Sequence, residues 1–201
     1  MAMLIKNFRS EKGSAAVEFA FYIFIFTLIC GVLMDMTFSL IKKSELERVN
    51  NSLMSVLRER NAFYDGRSIP SALDFNQIKE VANTLLGTTD KSYQLELRIA
   101  LPASGSVPDP GVRPSFAEAI FNTQKINGCE IDMNVSNITQ LGSLSVFGQP
   151  PASADPNGMW YPVYELTICM PGAVSYFNQF MGIFNKKLAS LYIKNVAIPR
   201  L

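Results

Sequence analysis

The chain contains no histidine. That absence removes the general base of serine and cysteine hydrolases and the commonest ligand of catalytic zinc. Its three cysteines, Cys30, Cys129 and Cys169, include no CxxC pair, so neither a zinc site nor a dithiol redox centre has its spacing. There is no glycine-rich phosphate loop. The 18 basic and 17 acidic residues leave a net charge of +1, and no long basic run exists, so nucleic acid is not an expected partner. Carboxylates at Glu96, Glu118, Glu130, Asp132 and Glu165 are scattered. Glu130 and Asp132 share a strand face because they are two apart, as solvated strand faces also arrange. "SADPNG" has too few following carboxylates for a calcium loop and reads as a turn. The sequence therefore predicts no enzyme, no cofactor, no metal and no small-molecule substrate.

Charge is the second scarcity. No residue from Phe19 to Met34 is charged, and between Ser14 and Ile41 only Glu18 and Asp35 are. A bilayer core of about 30 Å needs about 20 apolar residues in a helix, and this segment meets that length. A signal peptide has a shorter apolar core and a small-residue cleavage site after it, whereas "KKSELERVNN" follows here. A buried core helix would be shorter and amphipathic. The segment 14–41 is predicted to span a membrane. Lys6, Arg9 and Lys12 against Glu11 keep the N-terminus cytoplasmic, a bias that Lys42 and Lys43 weaken slightly. The rest of the chain then lies outside the cytoplasm. Cys30 falls inside the span as a small packing residue. Cys129 and Cys169 fall outside it, where an oxidising compartment allows one disulfide between them; two buried free thiols is the other reading.

Helix breakers are the third scarcity. No proline and only Gly31 interrupt Ser14 to Ala62, so one helix of about 70 Å is expected. Its extension, 42–66, carries an apolar stripe at Leu46, Val49, Leu53 and Val56, with Met54 and Leu57 alongside and Glu45, Glu47, Arg48, Arg58 and Glu59 elsewhere. The stripe must bury itself against a partner helix or against the chain's own head. Asp65–Gly66 and Ile69–Pro70 mark the end of the helix.

Residues 67–201 read as an α+β head. An amphipathic helix presents Phe75, Ile78, Val81, Ala82 and Leu85, with Gly87 as its stop. Strict alternation in "YQLELRIAL", Tyr93–Leu101, marks a strand. Ser115 and Glu118 read as a capping box opening a short helix, "FAEAIFN". Further strands are expected at Cys129–Val135, near Tyr161–Met170 and over "SLYIKNVAI", with helix in the middle of "GAVSYFNQFMGIFNKKLA". The sheet should be mostly antiparallel. Loops 102–114 and 137–158 are the places where a binding surface could hide, with Trp160 and Tyr161 beside the second, although packing explains both aromatics.

Glu18 needs a reason, since a carboxylate at mid-membrane costs about 2.5–3.5 kcal/mol on insertion scales, and less near the interface. Solvation by water or head groups is one. Cleavage between Gly13 and Ser14 is another: it would create an amine one helical turn from Glu18, in this chain or in a packed neighbour. "KGSAAVEF", Lys12–Phe19, resembles the processing site of type IV prepilin-like proteins, with Glu18 fifth after the cut and Phe19 beside it. Small first residues, the Glu-Phe pair, the apolar helix and the C-terminal head are most similar to the TadE/TadF-type pseudopilins of the tight-adherence (Flp) pilus, TadF the nearer.

That resemblance implies a leader at 1–13, removed by a prepilin peptidase after Gly13. It implies a minor pilin in the bacterial inner membrane with a periplasmic head, working with other pilins of its system in pilus biogenesis, adherence and biofilm formation. Ser14 departs from the phenylalanine usual in the wider type IV family, which puts N-methylation in doubt. The alternative is an unprocessed single-pass accessory protein whose head binds a partner; it should tolerate changes at Gly13 and Glu18.

Overall fold

The proline-free N-terminal half of the chain forms one helix, α1, Glu11–Arg58, 48 residues long and so about 70 Å. The computed structural model describes residues 11–59, 70–89, 91–103, 110–129, 138–148, 158–176 and 190–200. The expected helix end at Asp65–Gly66, most of the strand expected at Cys129–Val135, and the middle of "GAVSYFNQFMGIFNKKLA" lie outside the described residues, as do parts of both long loops.

A second helix, α2 (Ala72–Leu86), is closed at both ends by side-chain and backbone chemistry. The Ser71 backbone N–H donates to Asp74 Oδ2 at 2.6 Å while the Ser71 hydroxyl accepts from the Asp74 N–H, a capping box. Gly87 ends the helix at φ 59°, a left-handed conformation that glycine adopts without a Cβ clash. Phe75, Ile78 and Ala82 are buried as the periodicity predicts, but Val81 and Leu85 stay 39% and 46% exposed. The buried face is narrower than the sequence stripe because α1 covers α2 from one side only.

Four strands make an antiparallel sheet in the order β2-β1-β5-β6: β1 Gln94–Pro102, β2 Phe116–Asn122, β5 Val163–Pro171 and β6 Ser190–Ala197. Between β2 and β5 lie a one-turn helix, α3 (Ile138–Gly142), and a two-residue ladder of β3 (Phe147–Gly148) with β4 (Met159–Trp160). Structure thus occupies part of what reads as an unbroken loop at 137–158. The fold is α+β, a long apolar helix followed by a head with an antiparallel sheet.

"FAEAIFN" is β2, not a helix. It pairs antiparallel with β1 along its whole length, from Glu96 opposite Asn122 to Pro102 opposite Phe116. A capping box is worth about 1 kcal/mol. The ladder instead puts Ala119 and Phe121 against the main core, with Phe121 and Phe75 stacked at 5.9 Å. Non-local pairing outweighs the local signal.

Leu95, Leu97 and Ile99 of β1, Leu166 and Ile168 of β5 and Ile193 of β6 form one face of the sheet. Leu46, Val49, Leu53, Met54 and Leu57 of α1 and Phe75, Ile78 and Ala82 of α2 pack onto it. The core therefore includes the C-terminal third of the long helix.

Candidate functional site

Gly13 and Ser14 lie in the first turn of α1, within unbroken helix. Glu18 follows one turn later, so Ser14 and Glu18 share a helix face. Glu18 is exposed, as is its neighbour Phe19 at 66%. The apolar part of the helix has a mean hydropathy of 2.3 in its best window, and none of that window is buried in the protein. Phe21, Tyr22, Phe24, Phe26, Leu28 and Leu33 all stand uncovered. A soluble core helix would bury these side chains, whereas a bilayer replaces the missing protein contacts. This is one candidate membrane helix, near the N-terminus.

Further along, α1 is fastened to the head. Asp35 accepts a hydrogen bond from the Tyr176 backbone N–H at 2.8 Å, 141 residues away in sequence. Leu46, Val49 and Leu53 of the stripe are buried against the chain's own sheet, whereas Val56 is only partly covered and Met54 and Leu57 take its place. Of the two occupants the stripe allows, the head is the one present. Polar clasps reinforce the seam. Asn50 Nδ2 donates to the Leu166 carbonyl at 3.4 Å and Asn195 Nδ2 to Asn51 Oδ1 at 2.6 Å. At the end of the helix, Arg58 Nε donates to the Ile198 carbonyl and the Arg200 N–H to the Arg58 carbonyl, at 3.2 and 2.8 Å. Lys42–Glu45 at 2.9 Å and Lys43–Glu47 at 3.8 Å are exposed pairs along the helix, of the kind that adds little stability.

Cys129 and Cys169 form a buried disulfide with Cα atoms 5.9 Å apart, tying the segment after β2 to the end of β5. Cys30 is a free thiol in the apolar part of α1.

The second face of the sheet is polar yet buried, which alternation alone does not reveal. Gln94, Glu96 and Arg98 of β1 and Glu165 and Thr167 of β5 are each 5% exposed or less. Carboxylates scattered in the sequence converge here. Arg98 bridges Glu118 of β2 and, at 3.7 Å, Glu165, and Lys194 of β6 reaches Glu165 at 3.1 Å. Neither Glu96 carboxylate oxygen has a hydrogen-bond partner among the described residues. Burial pushes its pKa above the usual carboxylate value of 4.5; Arg98 opposes that shift and Glu165 adds to it. Among the described residues, no cluster of three or more potential ligands could hold a metal ion.

Tyr161 is buried and its carbonyl accepts from the Ser145 hydroxyl at 2.6 Å. Trp160 meets Phe147 edge-on at 5.7 Å. Both aromatics serve packing. Asp35 is the residue whose role the sequence did not disclose. It stood out as one of two charges in the apolar segment, but its partner is a backbone group of a distant loop.

Compared with known families, the chain matches the family model of TadF, tight adherence pilin protein F, over residues 6–200. No curated protein and no solved structure matches it.

Proposed function

From the premise that this chain belongs to the TadF family of tight adherence pilins, we propose that it is a minor pilin, matured by a prepilin peptidase that cuts between Gly13 and Ser14. Membership of a pilin family supports a structural, non-enzymatic role. The observation that carries the finer reading is the arrangement along α1. A small-residue cleavage motif and Glu18 sit at one end of an apolar helix that the protein itself leaves uncovered, while the other end is built into the head.

Cleavage creates an ammonium at Ser14, one turn from the Glu18 carboxylate. It also removes Lys6, Arg9, Lys12 and Glu11, taking the net charge from +1 to −1. The helix dipole favours a negative group in this first turn. Within a bundle of pilin helices, Glu18 meets a neighbour's Ser14 ammonium only in one axial register, whereas its own lies one turn away in any register. Carboxylate and amine thus serve as a registry pair, with Phe19 packing beside it. Gly13 lowers the cost of opening the helix for the peptidase by about 1 kcal/mol relative to alanine.

The basic leader places the N-terminus in the cytoplasm and the head in the periplasm, with α1 in the inner membrane. A buried disulfide in the head suits an oxidising compartment. The partners are the peptidase and the other pilus components, and the outcome is a pilus used in adherence and biofilm formation. Substitution tests the registry pair. Glu18→Ala should insert into membranes as well as wild type, yet reduce pilus assembly at least tenfold when scored by sheared surface pilin. Wild-type assembly by that variant would refute the registry role.

A further inference from the structure

Asp35 sets a limit on how deep the helix can sit. We propose that the segment Pro171–Tyr176, from the end of β5 through the turn at Gly172, is a lipid-contacting foot, by which the head rests on the phospholipid headgroup layer of its own leaflet. The proposal rests on the reading of α1 as a membrane span and deepens it by fixing where the bilayer begins.

Composition allows two placements of the span. In one, the hydrocarbon ends at Lys42, the first cation after the apolar segment. In the other it ends at Asp35, about 10 Å lower along the helix. The Asp35 carboxylate holds the Tyr176 N–H at 2.8 Å, so the head loop is pinned to this level of α1. With the boundary at Lys42, Asp35 and the irregular backbone around it would be immersed in acyl chains. Gly172, in the turn that leads to Tyr176, is exposed there. Lipid-exposed irregular backbone does not occur within the hydrocarbon. The boundary therefore lies at Asp35. Counting back from Met34, the 20 residues to Ala15 measure about 30 Å, the thickness of the hydrocarbon core.

Side chains around the foot suit that level. Tyr176 is 80% exposed and Phe38, on the adjoining turns of α1, is 67% exposed. Tyrosine is enriched where one end of the ring meets acyl chains and the other meets water. Between helix and loop a cleft of about 540 Å³ opens, lined by Phe38 and Lys42 on one side and Met170–Tyr176 on the other. Lys42, about 10 Å along the helix from Asp35, stands in water just beyond a headgroup layer about 5–8 Å thick.

The foot also controls the far end of the helix. With the boundary at Asp35, Glu18 lies about 5 Å inside the opposite edge of the hydrocarbon. With the boundary at Lys42 it would stand about 6 Å outside the hydrocarbon, among the headgroups. Seating the head on the lipid thus draws Glu18 into the hydrocarbon, where an ammonium partner offsets the cost of its charge.

The test uses full-length protein in phosphatidylcholine vesicles whose acyl chains carry bromine near the headgroup or near the bilayer centre. Trp160 is the one native tryptophan, so Trp160→Phe gives a dark background. Tyr176→Trp and Phe26→Trp are then introduced separately. The foot predicts Tyr176→Trp fluorescence quenched at least twofold more by shallow than by deep bromines, and Phe26→Trp the reverse. Fluorescence of Tyr176→Trp that ignores both lipids while Phe26→Trp is quenched would overturn the foot and leave the membrane span standing. Absence of quenching at both positions would overturn the span, and the foot with it.

Discussion

Glu96 makes the clearest prediction at the scale of one residue. Its carboxyl is buried, has no hydrogen-bond partner among the described residues, and has its pKa pushed above the usual value chiefly by desolvation. A carboxyl whose pKa is raised in the folded protein binds its proton more tightly in the native state. The stability it supports is complete below about 4.5 and is lost as pH rises through the raised value. Denaturant unfolding of the full-length protein in detergent should therefore show head stability falling across that window. Glu96→Gln keeps the shape and removes the titration, so it should flatten the profile and stabilise the head at neutral pH. An unchanged profile would mean that another group titrates there. Glu96 looked like half of an ordinary alternation, and Gln94, Glu96 and Arg98 gave no sign that their face is covered. Burial of a second sheet face depends on chain that arrives from elsewhere in the sequence. Asp35 was opaque for the same reason, because its partner is a main-chain group that no sequence pattern marks.

At the scale of elements, α1 divides by what covers it. No residue from Ala15 to Met34 is buried in the protein, whereas Leu46, Leu53 and Leu57 are 1% exposed or less. Leu53→Ala should cost about 2–5 kcal/mol of head stability, whereas Ser52→Ala, on the exposed face, should change it by less than about 0.5 kcal/mol. Equal effects would contradict the docking of this stripe on the head. The helix, its apolar stripe and strand β1 were all legible, since 3.6- and 2-residue periods are local. Two alternatives for the stripe remained because periodicity says which face is buried and not by what. Strand β2 was misread as a helix because Ser115 and Glu118 mimic a capping box, while the strand signal in "FAEAIFN" is weakened by its alanines and its value comes from Leu97 and Ile99 across the ladder. In α2 the missed cap, Ser71 with Asp74, has aspartate where the usual box has Glu or Gln.

For the whole molecule, one rigid seam connects the two environments. The Asp35–Tyr176 bond, the stripe and the clasp of Arg200 on Arg58 hold the head to the helix at its foot, middle and top. Any force or register set by the apolar half is thereby passed to the head without an intervening linker. The Cys129–Cys169 disulfide closes a sequence separation of 40 residues, for which the chain-entropy account gives about 4 kcal/mol. Reduction should slow the protein on a non-reducing gel and lower the head's unfolding midpoint. Alkylation of both thiols without prior reduction would contradict the bond. Cys30, in the apolar half, should react only in detergents that expose it.

Processing is the claim on which the functional account turns, and the N-terminus of the protein recovered from its native membrane tests it most directly. Intact mass and the terminal peptide should show a chain that begins at Ser14, lacking the leader and its three basic residues. A chain that still begins at Met1 or Ala2, in cells that mature their other pilins, would contradict the account and leave an anchored head in place of a pilus subunit.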